Sequence, residues 1–159
     1  MPATAPKAMY VASYVGLVRE SEAQLERALA TVARHHQDEP DIPGTCELAA
    51  SWSAAKRASA GPAAARYGES SEGEPERLAH DLFRGPREGR LALLRDLQDL
   101  YLLASEVDVC WTVLAQAAAA LQDGQLSGAC AEAKAQTKRQ LAWLTSRIKQ
   151  AAPQALVVA

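Results

Sequence analysis

The stretch from Leu93 to Leu121, LLRDLQDLYLLASEVDVCWTVLAQAAAAL, decides the fold. Within it Leu93, Leu97, Leu100, Ala104, Val107, Trp111, Leu114, Ala118 and Leu121 recur at steps of four and three without a break. A helix turns once per 3.6 residues, so this spacing lays one continuous apolar seam along its side. The reading predicts a helix from Glu88 to Gln122. Asp123-Gly124 should end it, because a glycine just past the last periodic residue takes the left-handed C-terminal conformation at little cost.

The same periodicity marks three more helices. Downstream, a helix from Leu126 or Ser127 to Ala152 would turn Leu126, Cys130, Ala133, Thr137, Leu141, Leu144 and Ile148 inward, with Pro153 as its stop. Upstream, a helix from Ala8 to Gln37 carries Tyr14, Val18, Leu25, Leu29, Val32 and His36 on one face, and Pro40 and Pro43 punctuate the backbone after it. A second helix from Thr45 to Tyr67 has a weaker face of Leu48, Ala49, Trp52, Ala55 and Ala63. Thr45 is its expected N-cap, and Gly61-Pro62 either kinks it or splits it near Ala60. Residues 1–7 read as a flexible arm, 8–152 as the bundle, and 153–159 as an apolar tail (Leu156, Val157, Val158) that packs onto it.

The connections set the expected topology. The first-to-second and third-to-fourth links are short, so each joins antiparallel neighbours. The glycine- and proline-rich stretch from Gly68 to Gly89 is long, and a short helix from Pro75 to Phe83 is predicted inside it. About 20 extended residues span roughly 60 Å at about 3.3 Å each, more than the roughly 38 Å of a helix of about 25 residues. The expected fold is therefore all-α: an antiparallel four-helix bundle with one long crossover between the second and third helices, the ferritin-like arrangement. The segments 93–118 (LLRDLQDLYLLASEVDVCWTVLAQAA), 143–158 (WLTSRIKQAAPQALVV) and 14–25 (YVGLVRESEAQL) resemble a little-characterised bacterial family related to ferritin-like bundles. The resemblance covers most of the chain and implies a fold rather than an activity.

Composition narrows the function classes. The formal net charge is −2 and aromatics make up 5% of residues. Neither nucleic acid nor an anionic membrane is an expected partner, and the basic group Lys134, Lys138, Arg139, Arg147 and Lys149 reads as a solvated helix face. Glu106 and Asp108 interrupt the most apolar stretch, so no membrane span is expected. Three cysteines (Cys46, Cys110, Cys130) without a CxxC read as buried thiols, and with no signal peptide apparent the expected location is the cytoplasm.

A ferritin-like dimetal centre needs carboxylates from all four helices and Glu-x-x-His on two of them. Glu47 and Glu132 are followed at the third position by Ala50 and Ala135, so both such motifs are missing. The weak metal candidates are Glu22, Glu106 and Asp108, and no cofactor is expected. His35-His36 with Asp38 and Glu39 does not make a site, since adjacent side chains on a helix diverge by about 100°. His80 lacks companion ligands. No serine or cysteine has a nucleophile's setting, and no glycine-rich phosphate loop occurs. Buried carboxylates would need partners. Arg90, Arg95, Lys56, Lys134, Tyr14 and Tyr101 are the candidates, and Trp52, Trp111 and Trp143 would wall any central pocket.

The third helix also carries an outer row of Leu102, Glu106, Val109 and Val113. The crossover helix with Leu82 and Phe83, a second subunit, or an outside partner or apolar ligand could cover it. The expected function is that of a non-enzymatic structural or interaction protein, a ferritin-like bundle lacking a dimetal centre that forms a homodimer or meets a protein partner through this row. The rival readings are a metal-dependent redox protein with an irregular carboxylate site and a small-molecule binder in the bundle interior. Because Trp111 is the largest seam residue, Trp111→Ala should destabilise the chain by roughly 3–5 kcal/mol in urea unfolding; a loss under about 1 kcal/mol would put Trp111 on the surface and overturn the register.

Overall fold

A computed structural model describes residues 5–69 and 83–157. Its helices are α1 (Ala5–His35), α2 (Ile42–Ser59), α3 (Gly61–Tyr67), α4 (Ala92–Ala120) and α5 (Gly124–Leu156). There is no strand among the described residues. The four long helices are those expected from periodicity, and α4 is the third of them.

Each long helix presents a buried row at alternating steps of four and three. On α4 it is Leu97, Leu100, Ala104, Val107, Trp111, Leu114 and Ala118, as the seam predicted; Leu93 is half-buried and Leu121 exposed. On α1 it is Val11, Val15, Val18, Glu22, Leu25, Leu29 and Val32. Glu22 thus lies inside the row rather than at its edge, and Tyr14 flanks it. α1 packs along α2 and α4, and α4 along α5; α2 and α5 touch more sparingly.

The second row departs from the expected face. It runs Ile42, Cys46, Ala49, Ser53, Lys56, Ala60 and Ala63, while Leu48 and Ala55 are exposed. Pro43 sits in the first turn of α2, where its missing N–H would be unpaired in any case. Pro43 therefore opens a helix instead of separating two. Asp41, not Thr45, is the N-cap residue. Pro62 cannot donate to the carbonyl of Ala58, so the chain breaks at Ala60 and restarts as α3 with the same face inward.

On α5 the buried row is Leu126, Cys130, Ala133, Thr137, Gln140, Leu144, Arg147 and Ala151. Leu141 and Ile148, expected inward, are only half-buried. Arg147, read as part of a solvated basic face, is instead buried: its Nε donates to Asp41 Oδ2 at 2.7 Å and its Nη2 to Glu39 Oε2 at 3.1 Å. The helix passes through Pro153 and ends at Leu156. Proline there removes only one bond of the last turn, and Val157 N–H still donates to Pro153 O. Leu156 and Val157 are 66% and 80% exposed, so they do not pack as the tail was expected to, and Val158 lies outside the described residues. At the other terminus α1 begins at Ala5, within the expected arm.

By length and mean hydropathy (1.3 over 18 residues) α4 is long and apolar enough to cross a membrane, which a count of uninterrupted apolar residues overlooks. The core helix of a bundle meets the same test, and its inner row is buried here.

The α4–α5 turn closes without the expected glycine. Gln122 takes the left-handed conformation (φ 54°), its N–H donates to Ala119 O, and Asp123 N–H donates to Ala118 O. These bonds close α4 as a Schellman motif. Gly124 is the first residue of α5, and Asp123 caps that helix through Oδ1, which accepts from Leu126 N–H at 3.0 Å. Tyr67 Oη and Arg66 Nη2 of α3 donate to Asp123 Oδ2 at 2.7 and 2.8 Å.

The Leu126 amide, then the Tyr67 hydroxyl and Arg66, hold the Asp123 carboxyl down at about 2. A carboxyl whose folded value is depressed contributes stability above its unfolded value near 3.9, and loses it as pH falls through the folded value. Asp123→Ala should therefore cost about 1–2 kcal/mol at neutral pH in urea unfolding. The gap between wild type and variant should close as pH drops from about 4 toward 2; a gap that persists at pH 2 would refute the capping role.

Candidate functional site

Where the four inner rows reach their midpoints, polar side chains from all of the long helices meet. Glu22 comes from α1, Ser53 and Lys56 from α2, Trp111 from α4, and Thr137 and Gln140 from α5; all are buried. Lys56 Nζ is 2.9 Å from Glu22 Oε1 and donates to Thr137 Oγ1 at 3.0 Å and Gln140 Oε1 at 2.7 Å. Trp111 Nε1 donates to the same Glu22 Oε1 at 2.8 Å.

The proton directions in this layer are fixed by its outer contacts. Gln140 Nε2 donates to Ala49 O (2.8 Å) and Ser53 Oγ (2.9 Å), so its Oε1 faces Lys56 as an acceptor. The Thr137 hydroxyl donates its proton to Ala133 O at 2.9 Å, leaving a lone pair toward Lys56. Three acceptors therefore surround one nitrogen. An ammonium carries three N–H groups, one for each acceptor, so the geometry suits Lys56 as the ammonium facing Glu22 as the carboxylate. Burial alone drives each toward neutrality. It pushes the Glu22 carboxyl up, against the opposing pull of Lys56 and the Trp111 N–H, and it pushes the Lys56 ammonium down, against the pull of Glu22. Glu22 Oε2 accepts no hydrogen bond from a defined donor, but the rotatable Ser53 hydroxyl nearby favours the charged form.

The three sequence candidates for metal do not come together around this layer. Glu22 faces Lys56. Asp108 sits at the half-exposed edge of α4, where Lys134 Nζ donates to its Oδ1 at 3.1 Å. Glu106 is half-buried on α4. Among the described residues no three His, Cys, Asp or Glu side chains are close enough to share a metal ion. Glu47 and Glu132 are exposed. Of the six partners offered for buried carboxylates, Lys56 and Lys134 are paired in this way.

A second polar cluster lies at the α1 C-terminus. Asp96 Oδ2 is fully buried and accepts from His36 Nε2 at 2.8 Å. It also accepts from Arg87 N–H, while Arg87 Nη1 reaches Asp99 Oδ2 at 2.8 Å. His35 Nε2 donates to Arg87 O at 2.8 Å. The two histidines thus diverge as helical geometry requires, and both hold the chain entering α4. Cys46, Cys110 and Cys130 are buried thiols, and burial pushes Cys46 up to about 12 and Cys130 to about 11.

On the outer face of α4, Leu102 is 57%, Val109 60% and Val113 40% exposed. Phe83, one expected cover, instead shares a shallow groove with Arg27, Ala28 and Thr31 of α1. Leu82 and the predicted helix from Pro75 lie outside the described residues. Of the tryptophans, Trp111 is committed to Glu22, and Trp52 and Trp143 are half-buried at the core's margin. Sequence reasoning passed over Ser53 as a small interface or cap residue and missed Gln140 and Asp96 altogether. A strict four-three count would have found the first two, since each falls on a buried row.

The chain matches no family model, no curated protein and no solved structure.

Removing one member of a buried ion pair strands the other in a dry site, whereas removing both spares that cost. Lys56→Met and Glu22→Leu should each destabilise by about 3–5 kcal/mol. The Glu22→Leu/Lys56→Met double variant should recover most of that loss in urea unfolding. Additive losses would mean that the two charges do not act as a pair.

Proposed function

We propose that this chain is a non-enzymatic structural or interaction protein, an antiparallel four-helix bundle with a ferritin-like crossover and an internal ion pair where a dimetal centre would sit. The order of cross-helix partners supports the topology. Glu22 meets Trp111 and His36 meets Asp96, so α1 and α4 run oppositely. Ser53 meets Gln140 and Asp41 meets Arg147, so α2 and α5 do too. Arg90 donates to Ala155 O and Lys134 to Asp108, giving the same relation for α4 and α5. α2 and α4 then point the same way, as the crossover reading requires. The described ends of the link between them both lie on α1: Glu69 pairs with Arg19 at 2.8 Å and Arg87 meets His35.

The observation that carries the functional reading is the Lys56 ammonium with all three donors satisfied inside the helices. Such a group has neither a free lone pair nor an open face for chemistry. Outward, the Leu102, Glu106, Val109 and Val113 row of α4 is the surface offered for self-association, and three of its members are exposed apolar residues. The resemblance to bacterial ferritin-like bundles is part of the same proposal.

Sedimentation equilibrium should give a dimer for the wild type and a monomer for Val109→Lys with an unchanged helical spectrum, and protein purified without chelators should hold iron, manganese or zinc well below one per chain. A monomeric wild type would remove the self-association reading. A stoichiometric metal lost in Glu22→Gln would replace the structural reading with that of a metal-dependent protein using an irregular carboxylate site.

A further inference from the structure

We propose that the bundle opens along the α2–α5 edge, the α1–α2–α3 and α4–α5 hairpins swinging apart about the α1–α4 contact. Of the neighbouring long helices α2 and α5 touch most sparingly, and a groove of about 360 Å³ already lies between them. The sequence is the reason. After Ile42 the inner row of α2 and α3 is Cys46, Ala49, Ser53, Lys56, Ala60 and Ala63, which offers α5 little apolar surface. Ala55, Ala133 and Ala135 around the groove are too small to fill it.

Hydrogen bonds at three heights hold this edge shut. At one end Arg147 of α5 donates to Asp41 and Glu39, both partly exposed. In the middle Lys56 donates to Thr137 and Gln140, and Gln140 donates to Ser53 and to Ala49 O. At the far end Arg66 and Tyr67 of α3 donate to Asp123. The α1–α4 side is built differently. Long apolar rows meet there, among them Val18, Leu25 and Leu29 of α1 and Leu100, Val107 and Trp111 of α4, all buried. His36 fastens the same side to Asp96.

Polar partners that separate at an edge take water in each other's place, whereas separated apolar rows gain nothing in return. The α2–α5 edge therefore parts before the α1–α4 side does. Glu22 and Lys56 belong to the same hairpin, so opening wets their contact without breaking it. Trp111 stays on Glu22 as well, because that bond crosses the α1–α4 side. Two native thiols report on the motion. Cys46 lies on α2 between Asp41 and Ala49, and Cys130 lies on α5 between Asp123 and Thr137. Each is thus placed between two of the three fastenings and is fully buried while the edge is shut. Cys110 belongs to α4, which is not part of this edge.

The test is thiol labelling of the full chain by dithiodipyridine at fixed pH, in urea below the unfolding midpoint. Each cysteine is followed by mass spectrometry and its rate divided by that of the unfolded chain. Cys46 and Cys130 should label at least about tenfold faster on this scale than Cys110. Their urea dependence should also be shallower, since a partial opening exposes less surface than unfolding. Glu39→Gln removes one fastening at a partly exposed position and should speed Cys46 and Cys130 by about threefold. His36→Ala removes a bond on the α1–α4 side, which stays closed in the open form, and should speed Cys110 alone. Equal protection of the three thiols, or one urea dependence shared by all, would overturn the opening. So would Cys46 and Cys130 that respond to His36→Ala, or that ignore Glu39→Gln.

Discussion

One ammonium–carboxylate contact, Lys56 to Glu22, constrains everything around it. Each charge is too costly to leave alone in a dry interior, so the fold must bring them to the same height from different helices. Trp111, Thr137 and Gln140 then bind that pair from the other two long helices. An apolar seam repeats every seven residues and tolerates a slip of one repeat. A single polar layer does not: moving any helix by a heptad would strand Lys56 or Glu22 opposite leucine or valine. The layer thus specifies register where the alanine-rich seams alone would leave several pairings close in energy.

Register at the middle is reinforced at both ends. At one end Asp123 caps α5 and accepts from Tyr67 and Arg66, joining α3 to the α4–α5 turn. At the other, Arg147 joins α5 to the α1–α2 link through Asp41 and Glu39, and Asp96 joins α4 to His36. Apart from the Asp123 cap itself, each of these contacts bridges elements distant in sequence. The chain's small, alanine-rich rows allow close approach but supply little shape of their own, so directional polar contacts take the place that large interlocking side chains fill elsewhere.

The same division explains what was legible in the sequence. α4 was readable because its seam is apolar throughout; apart from Leu93 and Leu121 at its ends, every residue assigned to it is buried. α2 and α5 were readable as helices but not as faces. Reading apolar residues as the inside put Leu48, Ala55, Leu141 and Ile148 inward, whereas the buried positions are taken by Ser53, Lys56, Gln140 and Arg147. A polar side chain on a buried row looks like a solvent-facing one until its partner is known, and these partners lie 34 to 108 positions away. Turn chemistry failed for a related reason. Pro43 and Gly124 carry signals for both the end of one helix and the start of the next, and tertiary contacts at Asp41 and Asp123 chose the second meaning.

The charge arithmetic of the centre bears on what such a bundle can do. A pair of divalent cations requires several carboxylates to balance it, and four long helices can supply them only if most inner rows carry an acid at one level. Here α1 supplies one carboxylate, α2 one ammonium, and α5 an amide and a hydroxyl, so the layer is neutral with its own side chains alone. A cation entering beside Glu22 would meet the Lys56 charge at close range, and expelling Lys56 would mean breaking three hydrogen bonds and finding the chain a new place in a packed interior. The centre is therefore balanced and filled by its own side chains, whereas Leu102, Val109 and Val113 on the outer face of α4 are left exposed.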